Sequence, residues 1–297
     1  MKIILTGASG FIGSHLYRTL TDGKHELYCI DIADPSENRK GIFKRGDIYD
    51  FDWNEIIGWK PDVLIHLAGP ASVRQSFDDM YSETKNSLLL TSFLLEKLRQ
   101  KPDTKFLYFS SAAVYGNHPV KRYHESLPCN PVSPYGICKL ATEQMVRIAG
   151  KTFGIDFAIV RPFSLYGPGL KKQVIYDLTM RFIKKENPLV IQSTGKENRD
   201  FVHVVDCCSI VSELLKRDLW GGLLLNIGSG KDISLKTLVR LIAKITNSKI
   251  NYIFAGKDRL GNPINLVADV TKLNELGLSC SIRLEDGLRD TIKILRN

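Results

Sequence analysis

Apolar residues fall along this chain in two textures. Short unbroken runs at Lys2–Thr6, Glu26–Asp31, Val63–Leu67, Phe106–Ser110 and Phe157–Arg161 show no polar alternation, the pattern of parallel strands covered on both faces. Between them apolar positions recur at helical spacing and predict helices near Gly13–Leu20, Glu83–Arg99 and Tyr135–Lys151. The alternation predicts an α/β fold, a doubly wound parallel sheet with helices on both sides. The segment Glu83–Arg99 carries Leu88, Leu89, Leu90, Phe93, Leu94, Leu95 and Leu98, more than one core-facing stripe needs. Its surplus is expected either between two copies of the chain or beneath a loop.

After Gly167-Pro168-Gly169 the texture changes. Pro168, Gly169, Pro188 and Gly195 interrupt the chain, with a helix near Val174–Lys185 between them. A strand near Leu223–Ile227 rejoins the first sheet, and a helix at Leu235–Thr246 precedes an irregular tail. The expected organisation is a nucleotide-binding domain over 1–167, returning at about 200–230, and a smaller, discontinuous substrate-binding lobe over 168–199 and 231–297.

Composition narrows the class. With 297 residues, 43% hydrophobic and 25% charged, the chain reads as a soluble globular protein. No apolar stretch is long enough to span a membrane, and the opening residues are too short for a signal-peptide core. The six cysteines show no C-x-x-C pair and no metal-ligand spacing, so they read as reduced thiols of a cytoplasmic protein with no metal site. The net charge of +9 is scattered in pairs such as Lys44-Arg45 and Lys184-Lys185 rather than gathered in one run. That argues against nucleic acid as partner and suits anionic small molecules, or plain solvation.

Gly7-Ala8-Ser9-Gly10-Phe11-Ile12-Gly13 follows the first run and opens the first helix. Glycines at such a corner let the backbone turn tightly and bring its N–H groups to a pyrophosphate at a helix N-terminus. Asp31 ends the second run, 18 residues beyond Gly13. A carboxylate there accepts bonds from ribose hydroxyls and repels a 2′-phosphate. The sheet is therefore expected to be Rossmann-type, with NAD preferred over NADP. Neither Ile32 nor Ala33 offers an arginine for an extra phosphate, and Arg39 and Lys40 fall in a loop whose course the sequence leaves open.

Tyr135 and Lys139 are four residues apart, one turn above each other on a single helix face. A cation beside a phenol favours the phenolate, so the pair can bring a tyrosine down from its usual pKa of about 10. Tyr135 then becomes a general acid/base for a hydroxyl. By itself the spacing is equally that of an ordinary helix surface.

With the glycine loop, Ser110-Ser111-Ala112-Ala113-Val114-Tyr115-Gly116 and Tyr135-x-x-x-Lys139 in one chain, the sequence resembles the extended short-chain dehydrogenase/reductase superfamily. Within it the likeness is to the NAD-dependent epimerase/dehydratase family, nucleotide-sugar 4-epimerases in particular. Further blocks agree in order, including His66-Leu67-Ala68-Gly69, Arg161-Pro162-Phe163, Tyr166-Gly167-Pro168-Gly169 and Asn198-Arg199-Asp200-Phe201. The resemblance implies that Gly7, Gly10, Phe11, Ile12 and Gly13 hold the pyrophosphate, Asp31 the adenosine ribose, and Asp47 with Ile48 the adenine. Leu67, Ala68, Gly69 and Ser110 would line the cofactor, and Pro162 and Phe163 would border its nicotinamide. Ser111, Tyr135 and Lys139 would be catalytic: Ser111 bonds the reacting oxygen, Tyr135 moves its proton, and Lys139 also bonds the nicotinamide ribose. Arg199 would clamp a diphosphate, with Arg259 as a second phosphate arginine and Asn262 near the nucleoside ribose. Ala112, Ser164, Phe201 and Leu266 would lie on the sugar side. Asn86 matches a family asparagine near the active site, or is a plain helix-surface amide. His66 reads as a core histidine, Asp206 as the cap of the helix that follows it, and Cys207 and Cys208 as packing. The implied partner is a nucleotide-diphosphate sugar, and the implied assembly is a homodimer.

The shared chemistry of the family is hydride transfer between a sugar carbon and the nicotinamide, and the resemblance implies a place in carbohydrate biosynthesis. Dehydratases also need an acid and a base directly after the catalytic Ser/Thr, where this chain has Ala112 and Ala113. Two enzymatic readings remain: an epimerase that inverts C4 of a UDP-hexose and keeps its NAD, and a 4-ketoreductase that consumes NAD(P)H. Asp31 favours the first, although Ser164 stands where 4-epimerases usually carry asparagine. Leu266, at the position where bulk limits the sugar C2 substituent, is small enough to admit an N-acetyl group. A catalytically silent NAD-binding sensor is disfavoured because Ser111, Tyr135 and Lys139 are all present.

Overall fold

The unbroken apolar runs are strands buried on both faces: Ile3, Ile4, Leu5, Val63, Leu64 and Ile65 are all wholly inaccessible. The structure is a computed structural model that describes residues 1–35, 39–256 and 265–296. In chain order the strands are β1 (Lys2–Thr6), β2 (Glu26–Asp31), β3 (Ile42–Arg45), β4 (Val63–His66), β5 (Lys105–Phe109), β6 (Phe157–Pro162), β7 (Ser164–Tyr166), β8 (Leu189–Ile191), β9 (Asn198–Arg199), β10 (Phe201–His203), β11 (Leu223–Ile227), β12 (Ile233–Ser234), β13 (Tyr252–Phe254) and β14 (Asn265–Leu266). The helices are α1 (Phe11–Asp22), α2 (Trp53–Gly58), α3 (Val73–Asp78), α4 (Met80–Thr84), α5 (Leu90–Leu98), α6 (Pro134–Phe153), α7 (Gln173–Ile183), α8 (Val204–Lys216), α9 (Leu235–Thr246), α10 (Thr271–Glu275) and α11 (Leu284–Arg296).

Seven strands form one sheet in the order β11-β6-β5-β4-β1-β2-β3. Its registered pairs are parallel, with Thr6 opposite both Ile30 and His66. Chain order reverses at β1, and in such sheets nucleotides bind beyond the strand C-termini at that switch point. The edge strand β3 was not expected, because Ile42-Phe43-Lys44-Arg45 is half exposed and carries no apolar run. The expected helix over Glu83–Arg99 is three pieces: α4, a π-helical stretch at Lys85–Leu89, and α5. Its leucines divide accordingly. Leu90, Leu94, Leu95 and Leu98 enter the core with Trp53, Phe106 and Ile159, whereas Leu89 is exposed.

The chain divides into two compact units. The first comprises Met1–Tyr115, Pro128–Arg161 and Cys208–Leu225; the second comprises Gly116–Leu127, Pro162–Cys207 and Asn226–Asn297. The division thus falls after Arg161 rather than after Gly167, and residues 116–127 join the second unit. Hydrogen bonds explain the latter: Tyr123 N donates to Val267 O at 2.9 Å, and the Asn226 side chain donates through Nδ2 to Tyr123 O at 2.8 Å. The second unit holds the pairs β10-β7 and β13-β8 and the three-stranded sheet β12-β9-β14. Asp206 is not a cap. It lies in the first turn of α8, and its carboxylate accepts from Ser281 Oγ and Ile282 N, each at 3.0 Å. Among the described residues no helix is long and apolar enough to cross a membrane, and no His/Cys/Asp/Glu group could hold a metal.

Candidate active site

The glycine loop is shaped by close backbone approach. Gly7 turns with φ +71°, and a Cβ there would lie 2.5 Å from Ala68 N, while one on Gly13 would lie 2.0 Å from Gly7 O. Only glycine fits either place. Gly10 caps α1 without a side-chain acceptor, and the first turn, opened by Phe11 and Ile12, has no acidic residue. The leading N–H groups of the helix therefore stay available to an anion. Asp31 accepts from Ser9 N at 2.8 Å on one oxygen and from Ala33 N at 2.9 Å on the other, and each oxygen keeps a lone pair for a hydroxyl. Arg39 lays its guanidinium 4.4 Å over the Tyr17 ring and donates to Ala8 O at 2.9 Å, bracing the loop. Asp47 caps the turn Ile48–Asp50, and the Ile48 side chain packs in the core. Leu67 extends β4 through its N–H to Thr6 O, Ala68 N reaches Thr6 Oγ1 at 3.4 Å, and Gly69 lies against the Asn86 carbonyl. A glycine cradle, an uncapped helix start and a carboxylate beside it fit the pyrophosphate and ribose of NAD.

Ser133 caps α6 by accepting from Gly136 N at 3.1 Å, and Pro134 occupies the first turn. That start places Tyr135, Lys139 and Glu143 on successive turns of one face. Lys139 Nζ donates to Phe109 O at 2.9 Å and lies 5.8 Å from the Tyr135 ring centre. Two residues on, Ser111 caps the turn Ala112–Val114 by accepting from Ala113 N at 3.1 Å. Burial drives Tyr135 up to about 12, Glu83 adds to that, and a hydrogen bond with Ser111 opposes it. Burial brings Lys139 down to about 8 against the pull of Glu83 and Glu143. The expected lowering of the tyrosine is thus reversed: desolvation outweighs the hydrogen bond with Ser111. At neutral pH the pair is a phenol beside an ammonium. His66 is a core residue, 2% exposed between Thr6 Oγ1 and Thr91 Oγ1 and held neutral with its pKa near 3 by burial.

Two charged residues that carried no chemical expectation complete this site. Glu143 is wholly buried and accepts from Arg161 Nε at 2.8 Å, Arg161 Nη2 at 2.6 Å and Ser110 Oγ at 2.5 Å. Arg161 also stacks 4.7 Å over the Tyr115 ring. The Ser110 hydroxyl, expected on the cofactor, is therefore engaged by Glu143. Helix α6 meets the end of β5 through consecutive rungs: Lys139 on Phe109, Glu143 on Ser110, Tyr135 on Ser111. The one signal in the sequence was Glu143 itself, a carboxylate on the Tyr135/Lys139 stripe one turn further on.

In the second unit four of the expected substrate-binding residues, Ser164, Arg199, Phe201 and Leu266, lie on paired strands. β9 lies between β12 and β14, pairing Arg199 with Ile233 on one side and Leu266 on the other. Phe201 pairs with Ser164, whose N–H bonds Asp200 O at 2.9 Å. Phe163, next to Pro162 at the end of β6, bonds Ile227 O through its N–H at 2.9 Å. Burial weakens the hold of Arg199 on its proton, and Glu197 opposes that, leaving a cation suited to an anionic group. Asp200 was not foreseen as a hub: its carboxylate accepts from Ser229 N and Oγ, Gly230 N and Ala268 N. Arg259 and Asn262 lie outside the described residues.

A Rossmann-type sheet with this Ser, Tyr and Lys set defines an enzyme of the extended short-chain dehydrogenase/reductase type. The chain belongs to the NAD dependent epimerase/dehydratase family, whose model matches residues 3–228. A UDP-glucose 4-epimerase of Azospirillum brasilense is 31% identical over 304 residues, covering 92% of this chain and 85% of that protein. A dTDP-glucose 4,6-dehydratase of Streptomyces niveus is 26% identical, covering 100% of this chain and 93% of that protein. The UDP-glucuronic acid 4-epimerase of Bacillus cereus, solved with UDP-glucuronic acid and NAD, superimposes with a TM-score of 0.91 at 30% identity, covering 100% and 99% of the two chains.

Proposed function

We propose that the protein is an NAD-dependent nucleotide-sugar epimerase that inverts C4 of a UDP-hexose through its 4-keto sugar. The observation that carries this reading is the set Ser111, Tyr135 and Lys139 followed by Ala112 and Ala113, which leaves one proton-moving group and no acid/base pair for elimination. The glycine loop and Asp31 would hold the cofactor, and Lys139 would reach its nicotinamide ribose. When bound, NAD would supply a reversible hydride acceptor for C4 and a positively charged ring. Tyr135 takes the proton of the C4 hydroxyl as the C4–H bond breaks and gives it back to the inverted alkoxide. Ser111 holds the same oxygen, and Lys139, fixed on Phe109 O, keeps positive charge beside the phenol. Burial raises the pKa of Tyr135 to about 12, so positive charge beside the phenol, from Lys139 and from the cofactor ring, would favour its action as a base. Arg199 takes the substrate diphosphate, with Leu266 next to it setting tolerance at the sugar C2 position.

The working form in this reading is a cytoplasmic homodimer acting in carbohydrate biosynthesis. Met80, Tyr81 and Leu89 are exposed beside α6, which exposes Ile137, Met145 and Ile148 along one face. That apolar face suits a second copy of the chain. All six cysteines are free, as in a reducing compartment.

Incubation of the purified protein with UDP-glucose, UDP-glucuronic acid and UDP-N-acetylglucosamine, without added nicotinamide, is expected to invert C4 of at least one of them by proton NMR. Turnover only with added NADPH, or release of water from the sugar, overturns the reading.

A further inference from the structure

A second carboxyl lies behind the acid/base pair, and the chemistry above does not use it. Glu83 sits in the short helix α4 and is 3% exposed, with Oε1 buried and without a hydrogen-bond partner among the described residues. Burying a carboxyl in that state is costly unless a cation compensates. The next residue, Thr84, has Oγ1 3.6 Å from Cys138 Sγ, and Cys138 precedes Lys139. Just before the helix, Asp79 accepts from Ser82 N at 2.9 Å, and in α3 Ser76 Oγ accepts the Tyr135 N–H at 3.1 Å. The Thr84–Cys138 contact ties the turn carrying Glu83 to the turn carrying Lys139, and the Ser76 bond ties α3 to the start of α6.

The Lys139 ammonium has one backbone carbonyl at 2.9 Å and the faces of Tyr108 and Tyr135 at 5.0 and 5.8 Å. None of these bears a formal negative charge. Two carboxylates act on it, Glu83 foremost and Glu143 next. Glu143 is committed to Arg161 through both oxygens, which leaves Glu83 as the carboxyl with no cation of its own among the described residues; burial raises its pKa and Lys139 opposes that. The other titratable groups around Glu83 and Lys139 do not replace it. Tyr108 on β5 is a buried phenol, Cys138 is a buried thiol, and His66 on β4 is neutral.

Resting on the acid/base reading of Tyr135 and Lys139, we propose that Glu83 is a positioning residue that keeps Lys139 cationic and seated on the Phe109 carbonyl over the working pH range. The neutral variants Glu83→Gln and Glu83→Met, both of matching size, remove the charge; Glu83→Asp keeps it. Protein labelled with [6-13C]lysine reports the ionisation of Lys139 directly, its signal assigned by absence from Lys139→Arg. The expected midpoint is near 8 in the unaltered protein and about one pH unit lower in either neutral variant, an effect of the size a nearby opposite charge produces. The Asp variant is expected to restore most of the shift. Epimerisation of UDP-glucose by Glu83→Gln is then nearly unchanged at pH 6 and about ninefold slower at pH 9, as a one-unit shift dictates. A midpoint in either folded neutral variant equal to that of the unaltered protein overturns the proposal, as does a rate lowered equally at every pH. Failure of the underlying reading shows differently: Tyr135→Phe would keep its activity.

Discussion

Glu143 and Arg161 provide the sharpest test of how this site is held together. Both are essentially inaccessible, with Glu143 at 0% and Arg161 at 3% exposure, and they are joined by two parallel hydrogen bonds of 2.8 and 2.6 Å. Removing one member leaves the other as an unpaired buried charge. That costs about 3–5 kcal/mol, whereas replacing both by apolar residues of similar volume is often close to neutral. For a chain of this length each kcal/mol moves the unfolding temperature by about 2 °C. Glu143→Leu or Arg161→Met alone is therefore expected to lower it by roughly 6–10 °C in a thermal melt. The double variant should recover at least half of either loss, short of full recovery because Ser110 Oγ loses its acceptor at about 1 kcal/mol. Activity should not recover with stability, since the rung from α6 to Ser110 is gone. Losses that simply add in the double variant, or single losses under about 2 °C, would refute the claim that the pair is an interdependent buried ion pair.

Four shorter expectations follow from the same geometry. Tyr135→Phe should lower epimerisation by about 10²–10⁴-fold, the usual worth of a general acid/base, while the NAD content of the purified protein stays unchanged; loss of bound NAD would show that the ring holds the cofactor instead. Gly13→Ala puts a Cβ 2.0 Å from Gly7 O, so the variant should retain no NAD after gel filtration. His66 is neutral when folded, with its pKa lowered from 6.5 to about 3, so the unfolded chain binds the extra proton between those values. Stability should consequently fall as pH drops from 6.5 towards 3, at up to roughly 1.4 kcal/mol per unit, and a pH series of urea melts should show a shallower slope for His66→Phe. Ile137→Asp with Ile148→Asp, both on the exposed face of α6, should turn the proposed dimer into a monomer by light scattering; a mass unchanged from the parent would remove that face from the assembly.

How much of this was legible depends on which physical pattern each element leaves in the chain. β1, β2 and β11 and helix α9 were placed to the residue, because a buried parallel strand is an unbroken apolar run and a surface helix keeps a 3.6-residue stripe. The edge strand β3 was missed, since half its residues face water and it ends in Lys44-Arg45. The π-helical stretch at Lys85–Leu89 was hidden because its backbone widening leaves the leucine run unchanged in composition. Asp206 had the residue type of a cap but its carboxylate bonds Ser281 and Ile282, some 75 residues away. Partners that distant leave no local trace.

The same distinction separates the groups proposed to do the chemistry from those proposed to set it. Tyr135, Lys139 and the glycine loop announce themselves because their function demands fixed local spacing: one helical turn, or a tight corner before a helix. Glu83 and Glu143 answer to no such spacing. Glu143 matters through Arg161 on a strand 18 residues further along, and Glu83 through a contact between two helices more than 50 residues apart. The one-turn spacing alone predicts that the ammonium of Lys139 depresses the tyrosine. Burial reverses that result, to about 12 for the phenol and about 8 for the ammonium. A pair so placed holds its proton until charge arrives, and that suits an enzyme whose base should act only when its cofactor is in place.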